Sequence, residues 1–102
     1  MNQADTKYAE AFAHDIAEVL RSAPQAAAVQ VEVYDDPQGE GPAVRVRAGR
    51  TVFELLMPAP GAMFALFRNG AWHGGIGLRI SDADPRQVAL ALLTRMGRAL
   101  RA

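Results

Sequence analysis

The segment AVRVRAGRTVFELLM (residues 43–57) decides the fold, because it predicts a β-hairpin whose arms match in both hydrophobicity and charge. Apolar and polar side chains alternate on either side of Gly49-Arg50, a two-residue turn of the Gly-X type. That turn aligns three cross-strand pairs: Val44–Leu55, Arg45–Glu54 and Val46–Phe53. The apolar and charged rows agree on one register, since a slip of one residue would disrupt both of them.

The preceding residues add a third strand to this hairpin. Residues 29–34, VQVEVY, alternate strictly between apolar and polar side chains. Pairing Val33 with Val44 places Glu32 opposite Arg45, which extends the charged row to Glu32–Arg45–Glu54. Residues 35–42 are rich in Asp, Gly and Pro and predict a loop between the two strands.

A second hairpin is predicted after residue 61. Residues 62–68 and 71–80 flank Asn69-Gly70, a strong signal for a tight hairpin turn. That turn aligns Phe67 with Trp72, Ala65 with Gly74, and Met63 with Ile76. The glycines at 74, 75 and 77 indicate close backbone approach or a β-bulge, and they lack the spacing of a phosphate-binding loop.

The side of the sheet that each residue of this hairpin faces depends on the Pro58–Gly61 turn. A connection of three or five residues keeps Phe67 and Trp72 in the core with Phe53 and Leu55. A four-residue connection places Phe64 and Leu66 in the core instead. The first alternative is favoured, because Trp72, Ile76, Leu78 and Ile80 form the longer apolar row. Phe64 and Leu66 are then expected on the outer face.

A helix is predicted at each end of the chain. From Asp5 to Ser22, apolar residues recur at three- and four-residue spacing. The second helix begins at Asp84-Pro85-Arg86-Gln87, a capping-box pattern with Pro at the first helical position. The sequence therefore predicts a single α+β domain over residues 1–102. It has two layers: an N-terminal helix, an antiparallel meander of about five strands and a C-terminal helix, with both helices on one sheet face.

Composition and charge argue against several classes of function. Of 102 residues none is Cys, and neither His14 nor His73 belongs to a triad pattern. The i, i+4 spacing of His14 and Glu18 could hold two metal ligands, but no second His or Cys is near them in the sequence, so no enzyme, metal or cofactor is expected. The formal charge is zero, although residues 1–42 carry −6 and residues 43–102 carry +6. The N-terminus lacks a secretory pattern and no apolar run reaches the length of a membrane span, so a cytoplasmic protein without a membrane partner is expected. Abundant Arg and Ala suggest a bacterial source.

The outer face of the second hairpin is the candidate interaction surface, because a solvated face should not collect Phe and Leu. Its predicted members are Leu56, Phe64, Leu66, His73, Arg45, Arg68 and Arg79. The first hypothesis is a non-catalytic protein that acts through protein–protein contacts there, as a homodimer or with another partner. The second is a nucleic-acid-binding module in which Phe64, His73 and Tyr34 stack on bases and arginines contact phosphates. The third is a small-ligand-binding domain with a pocket between helices and sheet.

Overall fold

A computed structural model describes residues 3–36, 41–59 and 61–101. It confirms the predicted architecture of two helices packed on one face of a five-stranded antiparallel sheet of order β1-β2-β3-β4-β5. The elements are α1 (Gln3–Ser22), a 3-10 turn (Pro24–Ala26), β1 (Gln30–Asp35), β2 (Pro42–Ala48), β3 (Thr51–Leu56), β4 (Met63–Arg68), β5 (Ala71–Arg79), α2 (Pro85–Met96) and a 3-10 turn (Gly97–Arg101). Most of the predicted loop at 35–42, residues 37–40, lies outside the described residues.

The helices form and dock as their sequences predict. The stripe of α1 is buried at Phe12, Ile16 and Leu20, each at most 5% exposed. At the start of α2, the Gln87 backbone N–H donates to Asp84 Oδ1 at 2.8 Å, and the Asp84 N–H donates to Gln87 Oε1 at 2.9 Å. This capping box satisfies two backbone donors that the first helical turn leaves unpaired. The two helices cover the side of the sheet that is called the helix side below.

The registers of the first three strands are the predicted ones. Glu32 pairs with Arg45, and Arg45 pairs with Glu54, while Val33, Val44 and Leu55 align in the next row. Val44, Leu55 and Phe53 are at most 1% exposed and pack under the helices. Burying a large apolar side chain contributes roughly 1.5–3 kcal/mol, so these rows hold the helices to the sheet.

The expected outer position of Phe64 and Leu66 is wrong. Leu55 pairs with Leu66 across β3 and β4, which is the register of an even-numbered connection. Phe64 is 1% exposed and Leu66 is fully buried, and both belong to the core on the helix side. Glu54 pairs instead with Phe67, which therefore lies on the outer face. Pro60 of the Pro58–Gly61 turn lies outside the described residues.

A bulge in β5 explains why the longer apolar row was misleading. Phe67 pairs with Trp72 as predicted, but Ala65 pairs with Gly75 and Met63 with Arg79, so two register shifts intervene. At the first shift Gly74 has a φ of +93°, a conformation that favours glycine. The extra residue reverses the alternation along the strand. Trp72 therefore faces outward, whereas Ile76, Leu78 and Ile80 still pack on the core.

Candidate interaction surface on the outer sheet face

The seven residues predicted for the interaction surface divide between the two sides of the sheet. Leu56, Arg45 and Arg79 belong to the outer face through their pairing with Ala65, Glu54 and Met63. Phe64 and Leu66 are core residues. His73 and Arg68 belong to the helix side, where the His73 ring lies 6.4 Å from the buried Phe53 ring and the Arg68 guanidinium 5.7 Å from it.

The β3–β4 register explains the position of both residues: it puts Phe67 and its partner Trp72 on the outer face, so His73 next to Trp72 lies on the helix side. Arg68 pairs with Phe53, whose side chain points towards the helices, so Arg68 extends to the same side at the open end of the sheet. The two residues do not lie on the face that carries Leu56, Arg45 and Arg79. They therefore cannot contribute to one flat contact surface together with those three residues.

The structure instead places a different apolar group on the outer face. We call it the apolar patch, and it comprises Leu56, Met63, Ala65, Phe67 and Trp72. Met63 is 48% exposed and Trp72 is 65% exposed, while Phe67 is partly buried between its neighbours. The Phe67 and Trp72 rings meet edge to face, with centroids 5.9 Å apart, an arrangement that the aromatic quadrupoles favour. The patch occupies the half of the face built from β3, β4 and β5.

The other half of the outer face carries a network of charged and polar side chains. We call it the polar network, and it comprises Glu32, Tyr34, Arg45, Arg47 and Glu54. Arg45 Nη1 donates to Glu32 Oε1 at 3.0 Å, and Arg45 Nη2 donates to Glu54 Oε2 at 3.4 Å. Arg47 Nε lies 3.9 Å from Glu32 Oε1. Two carboxylates and two guanidinium groups thus neutralise one another on the surface.

Tyr34 joins this network through both its ring and its hydroxyl group. The Arg45 guanidinium lies 4.0 Å from the centre of the Tyr34 ring, a cation–π contact. The Tyr34 hydroxyl donates to Glu54 Oε2. Burial, followed by this hydrogen bond and the Glu54 charge, raises the pKa of Tyr34. The hydrogen bond to Glu32 raises the pKa of Arg45. At neutral pH the network therefore keeps a neutral phenol and a charged guanidinium.

Both edge strands of the sheet receive an arginine from a helix. On β1, the Val31 carbonyl oxygen accepts from Arg21 Nη2 of α1 at 2.9 Å. On β5, the Gly75 carbonyl oxygen accepts from Arg95 Nη1 of α2 at 2.7 Å, and the His73 carbonyl accepts from Arg95 Nη2. A Cβ atom at Gly74 would lie 3.1 Å from Arg95 Nη2, so glycine also leaves room for this arginine.

Two hydroxyl groups on the helices serve local structure. The Ser22 and Thr94 hydroxyls donate to carbonyl oxygens four residues earlier in their own helices. Within residues 3–36, 41–59 and 61–101, no group of three or more His, Cys, Asp or Glu side chains is placed to hold a metal ion. No helix in this part of the chain has the length and apolarity needed to cross a membrane.

Two open grooves lie on the opposite side of the molecule from the outer face. They measure about 570 and 450 Å³ and share Gln25, Leu90 and Leu93 in their walls. The larger runs along α2 beside Gln25 of the 3-10 turn, and the smaller runs between the end of α1 and α2. The space between helices and sheet is filled by core side chains. They are therefore not the pocket that the ligand-binding hypothesis required.

No protein-family model, curated protein or solved structure matches this chain.

Proposed function

We propose that this chain is a non-catalytic protein that binds another protein through the outer face of its sheet. The observation that carries the proposal is the apolar patch, where Met63 and Trp72 are half or more exposed beside Phe67. Single exposed apolar residues are ordinary on protein surfaces. A contiguous patch rimmed by polar groups is typical of a surface that a partner covers.

The residues of the patch also suit protein contacts. Trp, Phe and Met are enriched in the centres of protein interfaces, and aromatic side chains provide much of the binding energy there. Trp72 and Phe67 already hold each other edge to face, so little side-chain freedom is left to lose on binding. We propose the bacterial cytoplasm as the location, in keeping with a chain of ten Arg, one Lys and no Cys.

Nucleic-acid binding is the weaker alternative for this face. Of the three aromatic residues that it required, Phe64 is buried, His73 is on the helix side, and Tyr34 lies under the Arg45 guanidinium. Arg45 is already paired with two carboxylates, and Glu32 and Glu54 would repel phosphate groups. Contacts of basic side chains with phosphate groups supply a large share of the affinity of nucleic-acid-binding modules. The paired charges of this face are therefore unfavourable for binding a nucleic acid.

In-cell photocrosslinking tests the proposal directly. A photoreactive phenylalanine replaces Phe67 in the full chain, and a matched variant carries the same group at Tyr8, which is 56% exposed on α1. We expect an adduct of defined mass from position 67 that survives nuclease treatment, and none from position 8. The proposal fails if position 67 yields no adduct, or if nuclease removes the adduct.

A further inference from the structure

We infer that the partner protein docks an acidic amphipathic helix on the apolar patch, with a carboxylate of that helix against Arg79. This inference rests on the function proposed above and names the chemistry of the partner. Three features support it: the size of the patch, its place in the sheet, and the positive charge that the outer face leaves unpaired beside it.

The apolar patch has the dimensions of a single helix. From Met63 to Phe67, strand β4 advances by about 13 Å, at about 3.3 Å per residue. Across the sheet the patch covers β3, β4 and β5, which is two strand spacings or about 10 Å. A helix is about 10 Å wide and rises about 5.4 Å per turn, so two to three turns cover the patch. A whole domain needs about 800 Å² on each side, which is more than the patch offers.

The place of the patch in the sheet favours a helix over an extended segment. An extended segment binds a sheet by pairing with the backbone of an edge strand. Leu56 and Phe67 lie on β3 and β4, which are already paired on both sides and therefore offer only side chains. The opposite face of the same sheet is covered by the apolar stripes of α1 and α2. A third apolar stripe packs on the outer face by the same layer geometry.

Arg79 gives the outer face an unpaired positive charge beside the patch. The polar network holds two carboxylates and two guanidinium groups that pair with one another. Arg79 adds a third guanidinium group, because it pairs with the exposed Met63 across β4 and β5 and is exposed itself. No carboxylate of the described residues forms an ion pair with it. This includes Asp82, whose backbone N–H donates to the Arg79 carbonyl oxygen at 3.0 Å. A complementary partner therefore presents a carboxylate at this position.

Glu54 is the carboxylate that borders the patch, and its charge is already compensated. It pairs with Phe67, at the end of the patch away from Arg79. Its Oε2 atom accepts from Arg45 Nη2 at 3.4 Å and from the Tyr34 hydroxyl. Exposed ion pairs add little affinity, so the apolar residues supply most of the binding energy, and Arg79 selects and orients the acidic partner.

The experiment uses the purified full chain and two synthetic peptides of about 15 residues. Both peptides carry the same stripe of leucines at helical spacing, and the same side-chain crosslink holds both helical. The charged positions are all Glu in one peptide and all Lys in the other. Trp72 is the chain's single tryptophan, so its emission moves to shorter wavelength when a peptide covers the patch. At low salt the Glu peptide should bind about fivefold more tightly or better, and high salt should reduce this ratio.

Arg79→Gln tests the residue that the inference assigns to the acidic partner. It removes the charge and should weaken binding of the Glu peptide about threefold, without weakening that of the Lys peptide. Arg86→Gln is the matched control, because Arg86 is also exposed but lies on α2, at the smaller groove on the opposite side of the molecule. It should bind both peptides as the wild type does. Circular dichroism should show both variants folded.

The inference is overturned if the Lys peptide binds as tightly as the Glu peptide, or if neither peptide shifts the emission. It is also overturned if Arg79→Gln leaves the ratio of the two affinities unchanged. An emission shift that the concentrated chain shows by itself identifies a second copy as the occupant. A stronger shift with vesicles of phosphatidylserine and phosphatidylcholine identifies a lipid surface, and either result also overturns the inference. In each case a nuclease-resistant adduct from position 67 leaves the proposed function standing, and only the chemistry assigned to the partner is wrong.

Discussion

At the scale of single residues, Tyr34 should make the free energy of unfolding depend on pH in the alkaline range. Burial and Glu54 raise its pKa in the folded state. Above about pH 10 an unfolded tyrosine loses its proton, while the folded chain still holds it. The folded state then binds more protons, so the free energy of unfolding falls as pH rises. In Tyr34→Phe this part of the fall should be absent, as measured by urea unfolding between pH 8 and 11.

Tyr8→Phe provides the control for this pH dependence. Tyr8 is the chain's other tyrosine and is 56% exposed on α1, with its ring 6.1 Å from that of Phe12. Its variant should retain the wild-type dependence on pH. Equal slopes for the wild type and Tyr34→Phe would contradict the effect assigned to the contact between Tyr34 and Glu54.

At the scale of elements, strand β4 carries two phenylalanines on opposite faces. Phe64 is 1% exposed and lies 5.7 Å from the Phe12 ring of α1, measured between ring centroids. Phe64→Ala should lower the free energy of unfolding by about 3–5 kcal/mol, the usual cost of removing a buried phenyl ring. Urea unfolding monitored by circular dichroism measures this loss.

Phe67→Ala is the matched substitution on the outer face of the same strand. It removes a partly buried ring and its contact with Trp72, so the loss should be about 1 kcal/mol. If the two substitutions cost the same, the faces of β4 assigned by its pairing with β3 are wrong.

The same strand shows how far the sequence could predict this fold. Charged and apolar rows alternate through β1, β2 and β3, so two independent patterns in the sequence predict the register that these strands have. Residues 62–67 are apolar at every position, so their sequence does not indicate which face is buried. The face of β4 is then predicted from its partner β5, where the bulge at Gly74 reverses the alternation. Its glycines indicated a bulge, but its position and the contact with Arg95, twenty residues from Gly75, required the tertiary structure.

At the scale of the whole molecule, the two helices have a double role. Their apolar stripes cover one face of the sheet, and one arginine from each helix reaches an edge strand. The molecule therefore has one covered face and one open face, and each edge strand has a backbone carbonyl group that accepts from an arginine. Such a contact hinders pairing of that edge with a strand of another molecule, which is how sheets add further copies.

Arg95→Ala should therefore change the way in which molecules associate. It frees the His73 and Gly75 carbonyl oxygens of β5 and removes two charge-assisted hydrogen bonds. Because these bonds are exposed, the expected loss in the free energy of unfolding is only about 1 kcal/mol. The larger effect should be slow growth of large assemblies with thioflavin fluorescence, measured by light scattering at concentrations where the wild type is stable. Arg86→Ala, also exposed on α2, should scatter as the wild type does. If neither variant forms large assemblies, the bulge alone protects the edge of β5 and the contact with Arg95 does not contribute.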